Sequence, residues 1–291
     1  NKTKNIFADN LYKDIIDNSS NNSTVFNAVL QNLVDQKFPV NDDMKEDAAT
    51  IIKQIKSAYK SNYGDNYKDS LNQALTSAGY KNLSEYRQKM IKQIQYANFL
   101  LDYIDDHFDD VFNDYYQQCA PKYVSLIKIS VSDTSSPTDD ETSKLNEVKE
   151  LISNTDKSFG DIAQDYSNDS TSSKKGSLGI VDSKDTSGIA NSYGKDVFNA
   201  IEALSEGQVS DVITGDNGYY FVKVTSTDKK TLKKELKKTD IDSPLLAYDD
   251  YLQYVVYNSY KINYKDKDIK KIVQEVVNKA LEERKTERGE A

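Results

Sequence analysis

A chain of 291 residues leaves room for two modest domains or one large one, and two is the working number. With 37% apolar and 29% charged residues it can build cores while presenting long solvated helical surfaces, which excludes a wholly disordered chain. The net charge of -9, with Lys interspersed among Asp and Glu, lacks the concentrated basic face that a phosphate backbone requires, so nucleic acid is not an expected partner.

From Leu11 to about Ala120 apolar residues recur at helical spacing, as in Val25, Phe26, Val29, Leu30, Leu33 and Val34, then Ile51, Ile52, Ile55 and Tyr59. Breaks fall at 19–23, 38–43, 63–67 and 78–84, where Pro39, Gly64 and Gly79 interrupt and Asp or Ser can cap the next helix. The longest helix is expected from Ser84 to about Asp105. Around the lone His107, Asp102, Asp106 and Asp110 would stack at i, i+4 and i+8 if the helix continued. That stack could hold a hard cation, but a solvated acidic face is the preferred reading, and no metal site is assigned.

Between Pro121 and Val131 the period changes to two, with Tyr123, Ser125, Ile127, Ile129 and Val131 alternating with Val124, Leu126, Lys128 and Ser130. A strand therefore opens a second domain. After the polar loop SDTSSPTDDETS come two helices, LNEVKELI and FGDIAQDY, the second opened by Ser158 as N-cap with Asp161 at N3. Short strands are expected at Ser177 to Val181, Val209 to Thr214 and Tyr219 to Thr225, with a helix from Gly194 to Leu204 between the first two. The order β-α-α-β-α-β-β is that of a small sheet with helices packed on it.

The Lys run KKTLKKELKKTD reads as a solvated connector. Two helical patterns close the chain, Leu245 to Tyr260 and Ile269 to Leu281, and their apolar faces must be buried on something. The economical arrangement folds this tail onto the N-terminal helices. The expected organisation is thus a helical region at 1–120, a sheet-containing domain at 121–226, and a linker with returning helices at 227–291. The fold class is α+β, a discontinuous helical domain carrying an inserted, mainly antiparallel sheet.

A single cysteine, Cys119, can form neither an internal disulfide nor a Cys-rich zinc site, and it reads as a small packed side chain. There is no run of 18 apolar residues, and the opening NKTKNIFADN is polar. A start at Asn1 suggests a processed or trimmed product, and EERKTERGEA reads either as native helix or as an appended remnant. With one His, nothing supplies the usual base or ligand set of a serine, cysteine or metal hydrolase. No EF-hand loop, P-loop or dinucleotide fingerprint occurs, and no cofactor is expected.

Four stretches carry a more specific signal: YVSLIKI, then YSNDSTSSKKGSLGIV, then VFNAIEALSEGQVSDVI, then NGYYFVKV. In this order, over roughly 100 residues, they resemble a parvulin, a class of peptidyl-prolyl isomerase. Isomerisation breaks no bond. The barrier of roughly 18–20 kcal/mol belongs to rotation about a partly double amide bond, so an apolar pocket for the proline ring and a few polar groups can suffice.

The resemblance implies a role for each matched residue. Asp169 falls where the family has its central Cys or Asp, and Ser210 at the family serine. Leu178 falls at a proline-pocket position, joined by Phe198, or by Val197 if the register slips by one. Tyr193 is a candidate pocket residue in a loop about seven residues longer than usual. Both family histidines are replaced, by Leu126 on the first strand and by Tyr220 on the last.

The flanking helices, with LQNLVDQKF and YGDNYKDSLNQALTSAGYKNLSEYRQKMIKQIQYANFLL, resemble the PrsA-type foldases and, more distantly, SurA-type chaperones. That resemblance implies an extracytoplasmic protein of a Gram-positive bacterium, lipid-anchored upstream of Asn1, whose partners are unfolded or proline-containing client polypeptides. A homodimer is left open. Three functions compete: a chaperone-foldase with little isomerase activity, an active isomerase using Asp169, Ser210 and Tyr220, and a surface adhesin or scaffold using Tyr-rich helices.

Overall fold

The computed structural model describes residues 22–237 and 241–290. The expected helical stretch from Leu11 to Asn21 and the end of the Lys run lie outside the described residues. In chain order the helices and strands are α1 (Asn22–Lys37), α2 (Asp42–Tyr63), α3 (Tyr67–Ser77), α4 (Leu83–Asp106), α5 (Phe108–Cys119) and β1 (Lys122–Ser130). There follow α6 (Asp139–Asn154), α7 (Phe159–Tyr166), β2 (Ser177–Val181), α8 (Ile189–Tyr193), α9 (Lys195–Ala203), β3 (Ile213–Gly215) and β4 (Gly218–Ser226), then α10 (Lys229–Leu236), α11 (Leu252–Ser259) and α12 (Lys267–Glu287).

Two compact units divide the chain. Among the described residues, one takes 22–106 and 249–290, the other 107–237 and 241–248. In the first, α12 packs against α1, and α2 against α3 and α4. The first unit's apolar stripe includes Phe26, Val34, Phe99 and Ile104, all without exposed surface. Asp249 is buried there and accepts from Arg284 Nε at 2.8 Å and from an Arg288 guanidinium nitrogen at 2.9 Å, which compensates its desolvation. The helix breaks at His107, so Asp102 and Asp106 end α4 while Asp110 belongs to α5, and the three carboxylates do not share one helix.

The second unit takes in α5 and the segment to Tyr248 as well as the expected 121–226 stretch. Its sheet runs β2-β1-β4-β3, every pair antiparallel. The period-two pattern of β1 sorts its side chains onto two faces. Ile127 and Ile129 join Phe221 of β4 and Leu145, Val148, Phe159 and Ile162 of α6 and α7 in one core. Val124 and Leu126 join Tyr220 and Val222 of β4 and Val181, Ile189, Val197 and Ile201 in the other, beneath α8 and α9.

Local chemistry explains the boundaries. Thr138 and Glu141 form a capping box on α6, and the Ser158 hydroxyl accepts from Asp161 N at 3.1 Å to open α7. Lys122 Nζ donates to the carbonyls of Ile201, Glu202 and Leu204 at 2.9, 2.6 and 3.1 Å, satisfying the orphan acceptors at the end of α9 with a cation. Gly176 (φ 76°) has no alternative: a Cβ there would lie 2.4 Å from the Leu126 carbonyl oxygen and 2.8 Å from Ala163 Cβ.

Three elements differ from expectation. Of the helical pattern from Leu245 to Tyr260, only Leu252–Ser259 is α-helix, preceded by a 3-10 turn at Pro244–Leu246. The Lys run forms α10, whose Leu232 and Leu236 are buried while its lysines stay in water. The strand expected at Val209 to Thr214 is reduced to Ile213–Gly215 plus an isolated bridge from Val209 to Lys223. The cause is Ser210: its N–H donates to Val222 O at 2.9 Å, but its Oγ, in place of its own carbonyl, accepts from Val222 N at 3.0 Å. A side-chain acceptor has replaced a ladder acceptor, and the regular pairing stops.

Candidate functional site

Leu126, Leu178, Tyr193, Val197, Phe198 and Tyr220 share the core on the α8–α9 face of the sheet. Leu126 and Val222 are paired in register across β1 and β4, with Lys128 and Tyr220 the next pair on the same face. Leu126 has no exposed surface and Tyr220 is 3% exposed. The Tyr220 hydroxyl donates to Asn217 Oδ1 at 2.9 Å. Lys128 Nζ lies 5.7 Å from the centroid of the Tyr220 ring, within reach of a cation–π attraction. Gly215 makes room for that ring, since a Cβ there would stand 2.7 Å from its Cε2. The Tyr220 side chain is thus fixed on several sides.

Asp169 is half-buried and caps the 3-10 turn Ser170–Lys174. One of its oxygens, Oδ1, accepts from Thr171 N at 2.9 Å and from Thr171 Oγ1 at 2.7 Å. The segment carrying it is tied to β1, because Ser167 Oγ accepts from Lys128 N at 3.0 Å and Asn168 N donates to Lys128 O at 2.8 Å. Tyr193, at the end of α8, bridges the two candidate groups. Its hydroxyl donates to Asp169 Oδ1 at 3.4 Å, and its ring stands edge-on to Tyr220 with centroids 6.2 Å apart and planes at 81°. Burial, and next the Asp169 carboxylate, push the Tyr193 phenol up to about 12, so it keeps its proton at neutral pH and remains a donor.

Leu178 and Phe198 are partly buried and pack on the same core, where Val197 is 1% exposed. The cavities separate them. Tyr193, Val197 and Tyr220 line a polar cavity of about 440 Å³ with Asn191, Asp196 and Asn217. Leu178 lines a different one of about 300 Å³ with Tyr123, Ile180, Leu236 and Pro244. Ser210 is held by β4 through both bonds described above. Asp169, Tyr193 and Tyr220 are therefore brought together, while Leu178 and Ser210 stand apart from them.

Two participants escaped the sequence reading. Lys128 shares the Leu126 face by simple alternation, a signal that was available. Asn217 lies in the β3–β4 turn, and nothing local marks it as the partner of Tyr220.

Residues 126–226 match the rotamase family described as the PPIC-type PPIASE domain. This stretch is a parvulin-type domain. Beyond it the chain resembles the PrsA foldases: it is 32% identical over 141 residues to the foldase protein PrsA of Staphylococcus epidermidis and, with the same identity and length, to that of Staphylococcus aureus strain MRSA252. Each of these alignments takes in 46% of this chain and 41% of the relative. The chain thus matches less than half the length of those relatives. Among solved structures, the foldase protein PrsA of Streptococcus pneumoniae aligns over 91% of this chain and 93% of its own at 19% identity and a TM-score of 0.43.

No helix among the described residues is long and apolar enough to cross a membrane. Among the same residues no group of three or more His, Cys, Asp or Glu side chains is arranged to hold a metal ion.

Proposed function

We propose that this protein is an extracytoplasmic foldase that holds unfolded exported polypeptides and assists their folding, and that its parvulin domain has little isomerase activity of its own. The observation that carries the reading is the burial of Leu126 and Tyr220 at the two family histidine positions. Catalysis of amide rotation relies on polar groups preorganised towards the charge that develops as conjugation is lost. Leu126 offers none, and the Tyr220 proton is already donated to Asn217. Asp169 keeps an accessible edge but is answered by Thr171 and Tyr193.

The assisting role draws support from the name of the staphylococcal relatives, foldase. The same resemblance supports a protein at the outer face of a Gram-positive cell membrane, lipid-anchored upstream of Asn1, with unfolded or proline-containing clients as partners.

The test uses the unmodified chain in two assays. Aggregation of two unrelated unfolded proteins should be suppressed at stoichiometric amounts, and a proline-limited refolding reaction should be accelerated only marginally. Refolding acceleration typical of parvulins, abolished by Asp169→Ala, would remove the claim of a weak site. Failure to suppress aggregation of either protein would remove the foldase reading.

A further inference from the structure

If Asp169 and Tyr220 mark the site at which a client's proline would bind, that site already has an occupant. The side chain of Tyr193 meets both groups at once, through its hydroxyl to Asp169 and its ring edge to Tyr220. A proline-bearing segment would need the same two surfaces, an apolar face to stack on and a polar group beside it.

Of the two tyrosines, Tyr193 is the one able to leave. Tyr220 sits in the middle of β4, 3% exposed, bonded to Asn217 and flanked by Lys128 and Gly215. Tyr193 is half-exposed and ends a helix of only five residues. The helix is anchored at its other end, where Ile189 is buried in the core and Asp185 accepts from Ile189 N at 2.6 Å and from Ala190 N at 2.9 Å, while Tyr193 is only partly buried against that core. Just after Tyr193 the chain turns at Gly194, whose φ of 101° suits glycine alone and whose missing Cβ would meet nothing within 4 Å. Gly194 joins the two short helices, its N–H donating to Ala190 O at 3.1 Å and its carbonyl accepting from Phe198 N at 3.3 Å. The long 3.4 Å bond to Asp169 is the weaker of that carboxylate's side-chain attachments, beside 2.7 Å to Thr171 Oγ1.

We infer that Tyr193 is an internal plug, a phenol that occupies the proline site of the parvulin domain and must swing away for a proline-containing segment to enter. This rests on the assignment of Asp169 and Tyr220 as the site and changes the role of Tyr193 from pocket wall to competitor. A plug in place about 90% of the time weakens apparent affinity about tenfold, because only the open fraction binds. The polar cavity that Tyr193, Val197 and Tyr220 share gives the displaced ring and the incoming chain adjoining space.

The experiment titrates the full chain and its Tyr193→Ala and Tyr193→Phe variants with a capped Ala-Ala-Pro-Phe peptide, reading binding and cis–trans exchange by NMR. Melting temperature is recorded for each to verify folding. Tyr193→Ala should bind about tenfold more tightly than the parent, with Tyr193→Phe between them because it keeps the ring and loses the bond to Asp169. As a second readout, 3-fluorotyrosine placed at position 193 should shift towards its solvent-exposed 19F frequency when peptide is added. If Tyr193→Ala binds no better than the parent, including not at all, or if binding leaves the fluorine signal unmoved, the plug is wrong. Either outcome leaves the aggregation assay on the unmodified chain untouched, so the plug and the foldase reading fail separately.

Discussion

The two faces of the parvulin sheet come from the same strands and have been put to different uses. On the α6–α7 face, Ile127, Ile129 and Phe221 meet Leu145, Val148 and Ile162 in a core whose fully buried side chains are all hydrocarbon. On the α8–α9 face, Leu126 and Val222 continue such a core, but Tyr220, Tyr193 and the cavity beside them bring hydroxyls, an amide and a carboxylate to its edge. The first face shows what holds the sheet together. The second carries the polar side chains of the candidate site beside Leu126 and Val222.

Two aspartates sharpen the contrast. Asp182, without exposed surface, accepts from Tyr115 Oη at 2.8 Å, from the backbone N–H groups of Lys184 at 3.0 Å and Thr186 at 3.3 Å, and from the Thr186 hydroxyl. Such a carboxylate is fully engaged in structure, and burial beside it pushes the Tyr115 phenol well above its usual range. Asp169 is half-buried, and Thr171 N, Thr171 Oγ1 and the Tyr193 hydroxyl all donate to its Oδ1.

The largest effect is expected on the hydrocarbon face. Phe221→Ala removes a ring that is 3% exposed and should cost about 3–5 kcal/mol of stability, read from urea unfolding. A loss below about 1 kcal/mol would mean that this face is less tightly packed than its burial indicates. Next comes Leu126→His, which tests the proposed assignment of a family histidine to that position. It places a polar ring in a fully apolar pocket and should cost about 2–4 kcal/mol without raising isomerase activity, because Tyr220 and Tyr193 remain. A stable variant with parvulin-like rates would show instead that a single lost histidine accounts for the weak site.

The smallest effect lies at the rim of the hydrocarbon face. Glu141 is held down to about 2 by the backbone N–H groups of Thr138 and Ser132 in the capping box of α6. Its ordinary value is 4.5, so its contribution to stability is present above that pH and is lost as the pH falls through about 2. The Glu141 carboxyl followed by NMR should titrate near pH 2, and Glu141→Gln should flatten the acid limb of the stability curve. A midpoint close to 4.5 would mean that the box is open in solution.

Much of this was readable beforehand, and the reason is locality. Alternation along Tyr123 to Val131, helical spacing in LNEVKELI, and a serine three residues before an N–H to be capped all express contacts within a turn or a strand. The spacing of Leu232 and Leu236 at i and i+4 carries the same kind of signal, but the lysines between them give the segment the composition of a solvated connector, whereas it is a docked helix. The loss of the Val209–Thr214 strand turns on one hydroxyl that accepts a ladder N–H in place of a carbonyl, a choice that strand propensity does not record.

The sequence by itself determined the α+β class and the parvulin motifs, because each depends on residue identity or on neighbours within a few positions. Only the tertiary structure decided that Tyr193 stands between Asp169 and Tyr220, 24 residues from the one and edge-on to the other, and that the Tyr220 hydroxyl donates a hydrogen bond to Asn217. Those contacts are made by loops closing over a sheet face, where no periodicity along the chain announces which side chain will arrive.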